Sequence, residues 1–248
     1  MTFELLPIID KMLEIYQKPR NFDRFQDYLS LLQGETKGDL AVPISGFNPM
    51  AKEHVVEKLL ELKDLKAEHI IEETIFELNK SDILREAKND IFKVSLTLSD
   101  DLKGGWTNRF TTDYDSKFKL NALINRHFCT PVFWTSENFD SILIRERTLE
   151  YAFRTIHWLS KPKPKTLKEH VEQEVFVAKQ IKYQSKKEPC DVSFLNDFYE
   201  KYKETDGCSI IFNFFYGDEA SEQLGFKTYG IGEEYNQYFL SLYNLRKL

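Results

Sequence analysis

Between residues 92 and 99 the sequence changes period. Phe92, Val94, Leu96 and Leu98 alternate with Lys93, Ser95, Thr97 and Ser99, and only an extended strand sorts such a set onto opposite faces. On either side, apolar residues recur at spacings of three and four, so the chain has to combine helices with a sheet. The expected fold class is α+β, with an N-terminal helical layer on a mixed or antiparallel sheet, a long central helix and a C-terminal buried strand.

The helical layer is read from two pairs of segments. Ile9, Met12, Leu13 and Tyr16 fall on one helical face, and Phe22, Phe25, Leu29 and Leu32 follow the cap candidate Asn21. After a loop through Gly34, Gly38, Pro43 and Gly46, Asn48-Pro49 supplies a cap and a first-turn proline for a third helix with a stripe of Val55, Val56, Leu59 and Leu60. A fourth helix carries Ile71, Ile75 and Leu78. Beyond the strand, Trp106–Thr112 reads as its hairpin partner, and Cys129–Trp134 as a further strand in which Pro131 favours an edge or bulge. Ile142, Leu149, Ala152, Phe153 and Ile156 define the long helix. Pro162 and Pro164 stop it, and Thr166 with Glu169 forms a capping box for the next helix. A helix over Asp191–Tyr202 precedes Cys208–Tyr216, which is apolar on both alternating faces, as a strand covered on both sides would be. A sheet containing both this strand and residues 92–98 makes residues 1–248 one domain. The proline connector at 160–166 marks where two parts, 1–160 and 167–248, would otherwise separate.

Composition narrows the function classes. With 42% apolar and 14% aromatic residues the chain has enough large side chains to fold rather than stay disordered. A net charge of −6 argues against nucleic acid as a partner, and the runs Lys161-Pro-Lys163-Pro-Lys165 and Lys186-Lys187 read as solvated connectors. Three cysteines without CxxC spacing suggest neither a disulfide framework nor a zinc knuckle, which fits a reducing, cytoplasmic setting. The first residues lack a cationic lead, so no signal peptide is expected, and no apolar run suggests a membrane span.

Few motifs carry chemistry. Glu53-His54-x-x-Glu57, Glu68-His69-x-x-Glu72 and Glu169-His170-x-Glu172-x-Glu174 each bring a histidine and a carboxylate three or four residues apart onto one helix face. In a hairpin of the third and fourth helices, however, His54 and His69 are offset by roughly 7 Å along the axis, too far to share one zinc, and His54, Glu57 and Glu61 should face water. No metal site is expected, and no cofactor motif is present. His127 and Cys129 share a strand face, a weak thiolate signal that a buried core cysteine explains better.

The densest polar segment is Gly104–Lys117. Two glycines open it, and Trp106, Asn108, Arg109, Thr112, Asp113, Tyr114, Asp115 and Lys117 follow within a few residues. Arg109 can clamp a carboxylate or phosphate, Trp106 or Tyr114 can stack on a ring, and Asp113 or Asp115 can serve as a catalytic base, with Asn108 and Lys117 as further ligand contacts. The glycine pair lacks a phosphate-loop fingerprint, and no helix pattern follows directly. Arg126, His127, Arg145, Arg147, Tyr151, Arg154 and His157 lie in and beside the next strand and helix, where they could complete an anionic pocket or pair with Glu146 and Glu150. The expected function is binding of a small polar or anionic molecule around Trp106–Lys117. The rival expectation is a non-enzymatic module whose acidic helices bind a protein partner or a second copy of the chain.

Overall fold

A computed structural model describes residues 1–34, 39–43, 47–84, 90–102, 107–181 and 193–232. The chain forms two compact units, Met1–Ala152 and Phe153–Leu248. Gly38, Gly46, Gly104, Gly105, Trp106, Lys186, Lys187, Cys190 and Asp191 lie outside the described residues.

The first unit opens with a strand the periodicity hides. β1 (Thr2–Leu5) turns Phe3 inward and Thr2 and Glu4 outward, and its four residues merge in sequence with the helical spacing that follows. α1 (Ile9–Tyr16) and α2 (Phe22–Leu32) occupy the expected positions, and the Asn21 side chain accepts the Arg24 N–H at the α2 cap. The buried face of α2 is Arg24, Tyr28 and Leu32, however, while Phe22 is 67% exposed. α3 (Glu53–Asp64) starts later than Asn48-Pro49 predicts: Asn48 Oδ1 accepts the Met50 N–H at 2.8 Å and closes a turn instead. Val55, Leu59 and Leu62 form its buried stripe, leaving Leu60 exposed. α4 (Ala67–Asn79) buries Ala67, Ile71, Ile75 and Leu78 and packs on β1.

The alternating segment divides into β2 (Ile91–Val94) and β3 (Thr97–Ser99), and both pair in parallel, not antiparallel. The strand expected over Trp106–Thr112 is not found among its described residues, 107–112. Residues from Arg109 begin a helix, α5 (Arg109–Phe118), capped by the Asn108 side chain at the Thr111 N–H. Asn108 is a strong cap residue, and the Tyr114–Phe118 pair supplies the buried helical contact, so local capping outweighs the glycine-led hairpin signal. A short α6 (Asn121–Asn125) leads to β4 (Phe128–Cys129) and β5 (Val132–Trp134).

β2 lies between β1 and β4, and β3 pairs with β5. The register is unbroken, with Lys93 opposite Phe128 and Thr97 opposite Val132, so Ser95 stands beside Thr130. Ser95 N–H bonds Cys129 O at 3.1 Å and Thr97 N–H bonds Pro131 O at 2.9 Å. Pro131 has no N–H for the rung between them, which accounts for the interruption at this point. α7 (Ser141–Ser160) follows the sheet, and the boundary between the units falls inside it.

The second unit begins in α7 and adds α8 (Leu167–Gln180), which carries the expected Thr166/Glu169 capping box, and α9 (Ser193–Tyr202). Residues 208–216 are not a strand. They open a helix, α10 (Cys208–Gln223), with a kink at Gly217, whose φ is 79°. An apolar run that is buried all round fits a covered strand or a core helix equally; here Ile211, Phe212, Phe214, Phe215 and Tyr216 are all buried around the helix. The expectation of a single domain rested on this segment joining the sheet, and the helix removes that support. Among the described residues, no helix is long and apolar enough to cross a membrane.

Candidate functional site

Parallel strands place their C-terminal ends on one edge of a sheet, where the following loops can gather polar side chains. In the first unit β3 runs out into Asp100 and Asp101, and β5 into Thr135, Ser136 and Glu137. These residues bond across the edge. Thr135 Oγ1 lies 3.1 Å from both Asp100 Oδ1 and Asp101 Oδ1. Asp101 also accepts the Ser136 N–H at 3.0 Å, the Ser136 hydroxyl at 2.6 Å and Arg109 Nη1 at 2.7 Å. Burial works to raise the Asp101 carboxyl, but the Ser136 donors and the Arg109 guanidinium outweigh it and hold the group below the ordinary carboxylate value.

The polar segment read from sequence is thereby distributed around a helix. Arg109 faces the sheet edge, where it holds Asp101 and lies 5.3 Å from the Trp134 ring centre. Asn108 caps α5. Asp113 and Lys117 pair one turn apart at 2.6 Å, Asp115 pairs with Lys119 at 2.7 Å, and Tyr114 is buried against Phe118. Among the described residues, Asn108, Arg109, Asp113, Tyr114 and Lys117 thus meet different partners around the helix, whereas Asp115 opens onto a cavity described below.

The histidine runs resolve into separate structural tasks. Glu68 Oε1 caps α1 by accepting the Ile8 and Ile9 N–H groups. Glu169 closes its capping box. His54, expected in water, is only 34% exposed at its side chain and bonds Asp100 Oδ1 at 3.0 Å. Among the described residues no group of three or more metal-ligating side chains converges. His127 precedes β4 in a left-handed conformation, its ring tilted against Phe92, and Cys129 is buried. Arg147 does not pair with Glu146 or Glu150 as its nearest partner but makes a two-pronged bond to Glu137 at 2.7 and 2.9 Å. Arg154 pairs with Glu174 inside the second unit.

A cavity of about 420 Å³ lies over one face of the sheet, between it and α5, α6 and the 39–43 segment. Its floor includes Ser99, Phe128, Thr130 and Val132, and Thr107, Thr112, Asp115, Ser116, Lys119 and Arg126 are among its walls. Ser95, Thr97 and Ser99 point to this same face, since side chains two apart on a strand share a side. These residues are 0% exposed, and Thr130 is 2% exposed. Yet the hydroxyls of Ser95, Thr97, Ser99 and Thr130 have no hydrogen-bond partner among the described residues. The wall hydroxyls behave differently: Thr107 donates to Asp100 O at 2.8 Å, and Ser116 contacts the Tyr151 hydroxyl at 2.8 Å. Among the described residues, Arg126 is held by a 3.3 Å bond to Ala122 O.

Sequence reasoning found the alternation that carries the hydroxyl row but gave that face no part in a site. A usable signal was present: Lys93 is exposed, but Ser95, Thr97 and Ser99 are short uncharged groups that fit under a covering helix. Asp100 and Asp101 gave no such signal, because a turn of aspartates after a strand is ordinary loop chemistry. Comparisons with family models, with curated proteins and with solved structures each give no match.

Proposed function

We propose that the Met1–Ala152 unit binds a small anionic molecule bearing several hydroxyl or amide groups, seated in the cavity beneath α5 and α6. The observation that carries this reading is the pair of unpartnered hydroxyls at Ser99 and Thr130, which line the cavity and continue the row of Ser95 and Thr97 on the same face. Each buried hydroxyl left without a partner costs roughly 1–3 kcal/mol, against a total stability of roughly 5–15 kcal/mol for an ordinary fold. A ligand with its own donors and acceptors offsets that cost on binding, so the row is poor scaffolding and good recognition chemistry. Arg126 supplies a guanidinium for the anionic end.

Several features agree with this assignment. The volume of about 420 Å³ falls in the range of small-molecule pockets, roughly 300–1,000 Å³. Ser99 ends its strand at the edge where open parallel sheets receive ligands. The segment singled out in sequence contributes Thr107, Thr112, Asp115 and Ser116 to the walls. Asp115, held by Lys119 at the mouth, is the carboxylate available for proton transfer to a bound molecule.

The test is a thermal-shift series with sugar phosphates, nucleoside monophosphates and hydroxy acids, alongside neutral polyols of matching size. One of the anionic classes is expected to raise the melting temperature with increasing concentration, and Arg126→Ala to move the shift to roughly tenfold higher concentrations or beyond. A shift untouched by both Arg126→Ala and Thr130→Val, or no shift with any anionic class, rules the reading out.

A further inference from the structure

A second hollow in the first unit shares no lining residue with the cavity above. It has a volume of about 210 Å³ and is bounded by His54, Glu57, Lys58, Glu61, Leu102 and Thr135. His54 and Lys58 stand one turn apart on α3, so both face it. Behind His54, Oδ1 of the buried Asp100 lies 3.0 Å from His54 Nε2, accepts the Leu102 N–H at 3.4 Å and shares the one Thr135 hydroxyl hydrogen, at 3.1 Å, with Asp101 Oδ1.

The Leu102 N–H already occupies this oxygen and the Thr135 hydroxyl points between it and Asp101, an environment that suits an acceptor and not a protonated acid. A carboxylate in this position accepts the contact's hydrogen bond from Nε2–H, which is the tautomer that leaves Nδ1 as the accepting nitrogen. A buried carboxylate that fixes a histidine tautomer and balances the charge of the imidazolium is the arrangement that hydrolytic enzymes use to hold a general base. Thr135 secures the carboxylate in turn.

We propose that His54, oriented by Asp100, is a general base for hydrolysis of a small acyl compound in this hollow, with Lys58 as the cation nearest the developing oxyanion. In the step, an O–H bond of water breaks toward His54 Nδ1 while the water oxygen bonds to the acyl carbon and the carbonyl electron pair moves onto oxygen. When the carbonyl re-forms, the bond to the leaving group breaks and the imidazolium returns the proton to it. No oxidant or reductant enters. Lys58 Nζ donates to Glu137 O at 2.7 Å and to Glu61 Oε2 at 2.8 Å, which holds the ammonium beside the hollow.

The probe is p-nitrophenyl acetate, with the full chain as catalyst. His54→Gln is expected to lower the enzyme-dependent rate by roughly 100-fold, the low end of what a positioned general base contributes. Asp100→Asn should lower it in the same sense, whereas His69→Gln leaves it unchanged. Because Asp100→Asn removes a buried carboxylate and can unfold the chain, the wild-type protein supplies a second readout: ¹⁵N spectra of the His54 ring should show the proton on Nε2 and the bare nitrogen at Nδ1. Unaltered hydrolysis by folded His54→Gln, no hydrolysis by the wild-type chain, or a proton on Nδ1 overturns the proposal.

Discussion

Replacing Thr130 by Val keeps the shape of the side chain and removes a hydroxyl that is buried without a partner among the described residues. Most substitutions at buried positions destabilise, by about 1 kcal/mol on average. Here the opposite sign is expected. The unpartnered group costs the ligand-free fold roughly 1–3 kcal/mol, and the methyl that takes its place adds favourable apolar burial. The net gain should be about 1–2 kcal/mol, with the lower part of the range allowed for imperfect packing of the new methyl. Thr97→Val should act in the same direction. Thr97 on β3 faces Val132, and Thr130 lies just before it between β4 and β5, close enough that the double variant need not equal the sum. The assay is urea unfolding of ligand-free protein, read as a higher midpoint at an unchanged slope. The same substitutions should weaken ligand binding, so stability and affinity move apart. A midpoint lowered by the equivalent of about 1 kcal/mol or more would show that the hydroxyl is bonded within the fold, and the recognition argument would lose its basis.

Other consequences are equally direct. The Asn79 carboxamide accepts the Phe3 N–H at 2.9 Å and donates to Phe3 O at 2.8 Å, blocking the free edge of β1; Asn79→Ala should cost roughly 1–3 kcal/mol and speed exchange of the Phe3 amide, and an unchanged exchange rate contradicts this. Arg154 bonds Glu174 at 2.8 and 2.6 Å with both side chains buried; Glu174→Gln should destabilise the second unit by roughly 3–5 kcal/mol, with Arg154→Met added to it recovering part of the loss in calorimetry. His170 is pushed down to about 4, first by burial, while an unfolded histidine titrates near 6.5. Because the folded value is the lower one, stability is fully present above about pH 6.5 and falls by about 3 kcal/mol as the pH drops toward 4. His157 is shifted in the same direction. His170→Leu should flatten this acid limb in urea titrations at several pH values, and an equally steep limb in the variant refutes the assignment.

Much of the helical framework was legible because capping and periodicity are local. Asn21 and the Thr166/Glu169 pair fixed the starts of their helices, and the prolines after Ser160 fixed an end. The errors arose where tertiary burial decides between local options. Residues 208–216 are apolar in every direction, so no period separates strand from helix, and the outcome is set by packing such as Phe198 on Phe214 at 5.9 Å. β1 is four residues long and gains its place from pairing with β2, which no short window reveals. Parallel pairing is likewise a matter of topology and not of the alternating pattern.

The candidate site was partly legible for a related reason. Density of polar residues drew attention to 104–117, and this segment does wall a cavity through Thr107, Thr112, Asp115 and Ser116. Asp113 and Lys117 instead satisfy each other along the helix, an i,i+4 pairing that is apparent only once the segment is known to be helical. The dyad of His54 and Asp100 joins residues 46 apart. Neither residue is unusual in its local setting, so a single sequence gives no reason to pair them.

Selective ¹³C labelling of threonine methyl groups tests the central claim most directly, because Thr97 and Thr130 report from within and beside the cavity floor. Titration with the anionic compound that stabilises the protein should move both methyl signals, and Arg126→Ala should weaken that response by roughly tenfold or more, the loss of one charge-assisted hydrogen bond. Signals from Thr97 and Thr130 that stay fixed while the protein is saturated with the compound would place the ligand elsewhere and contradict the account.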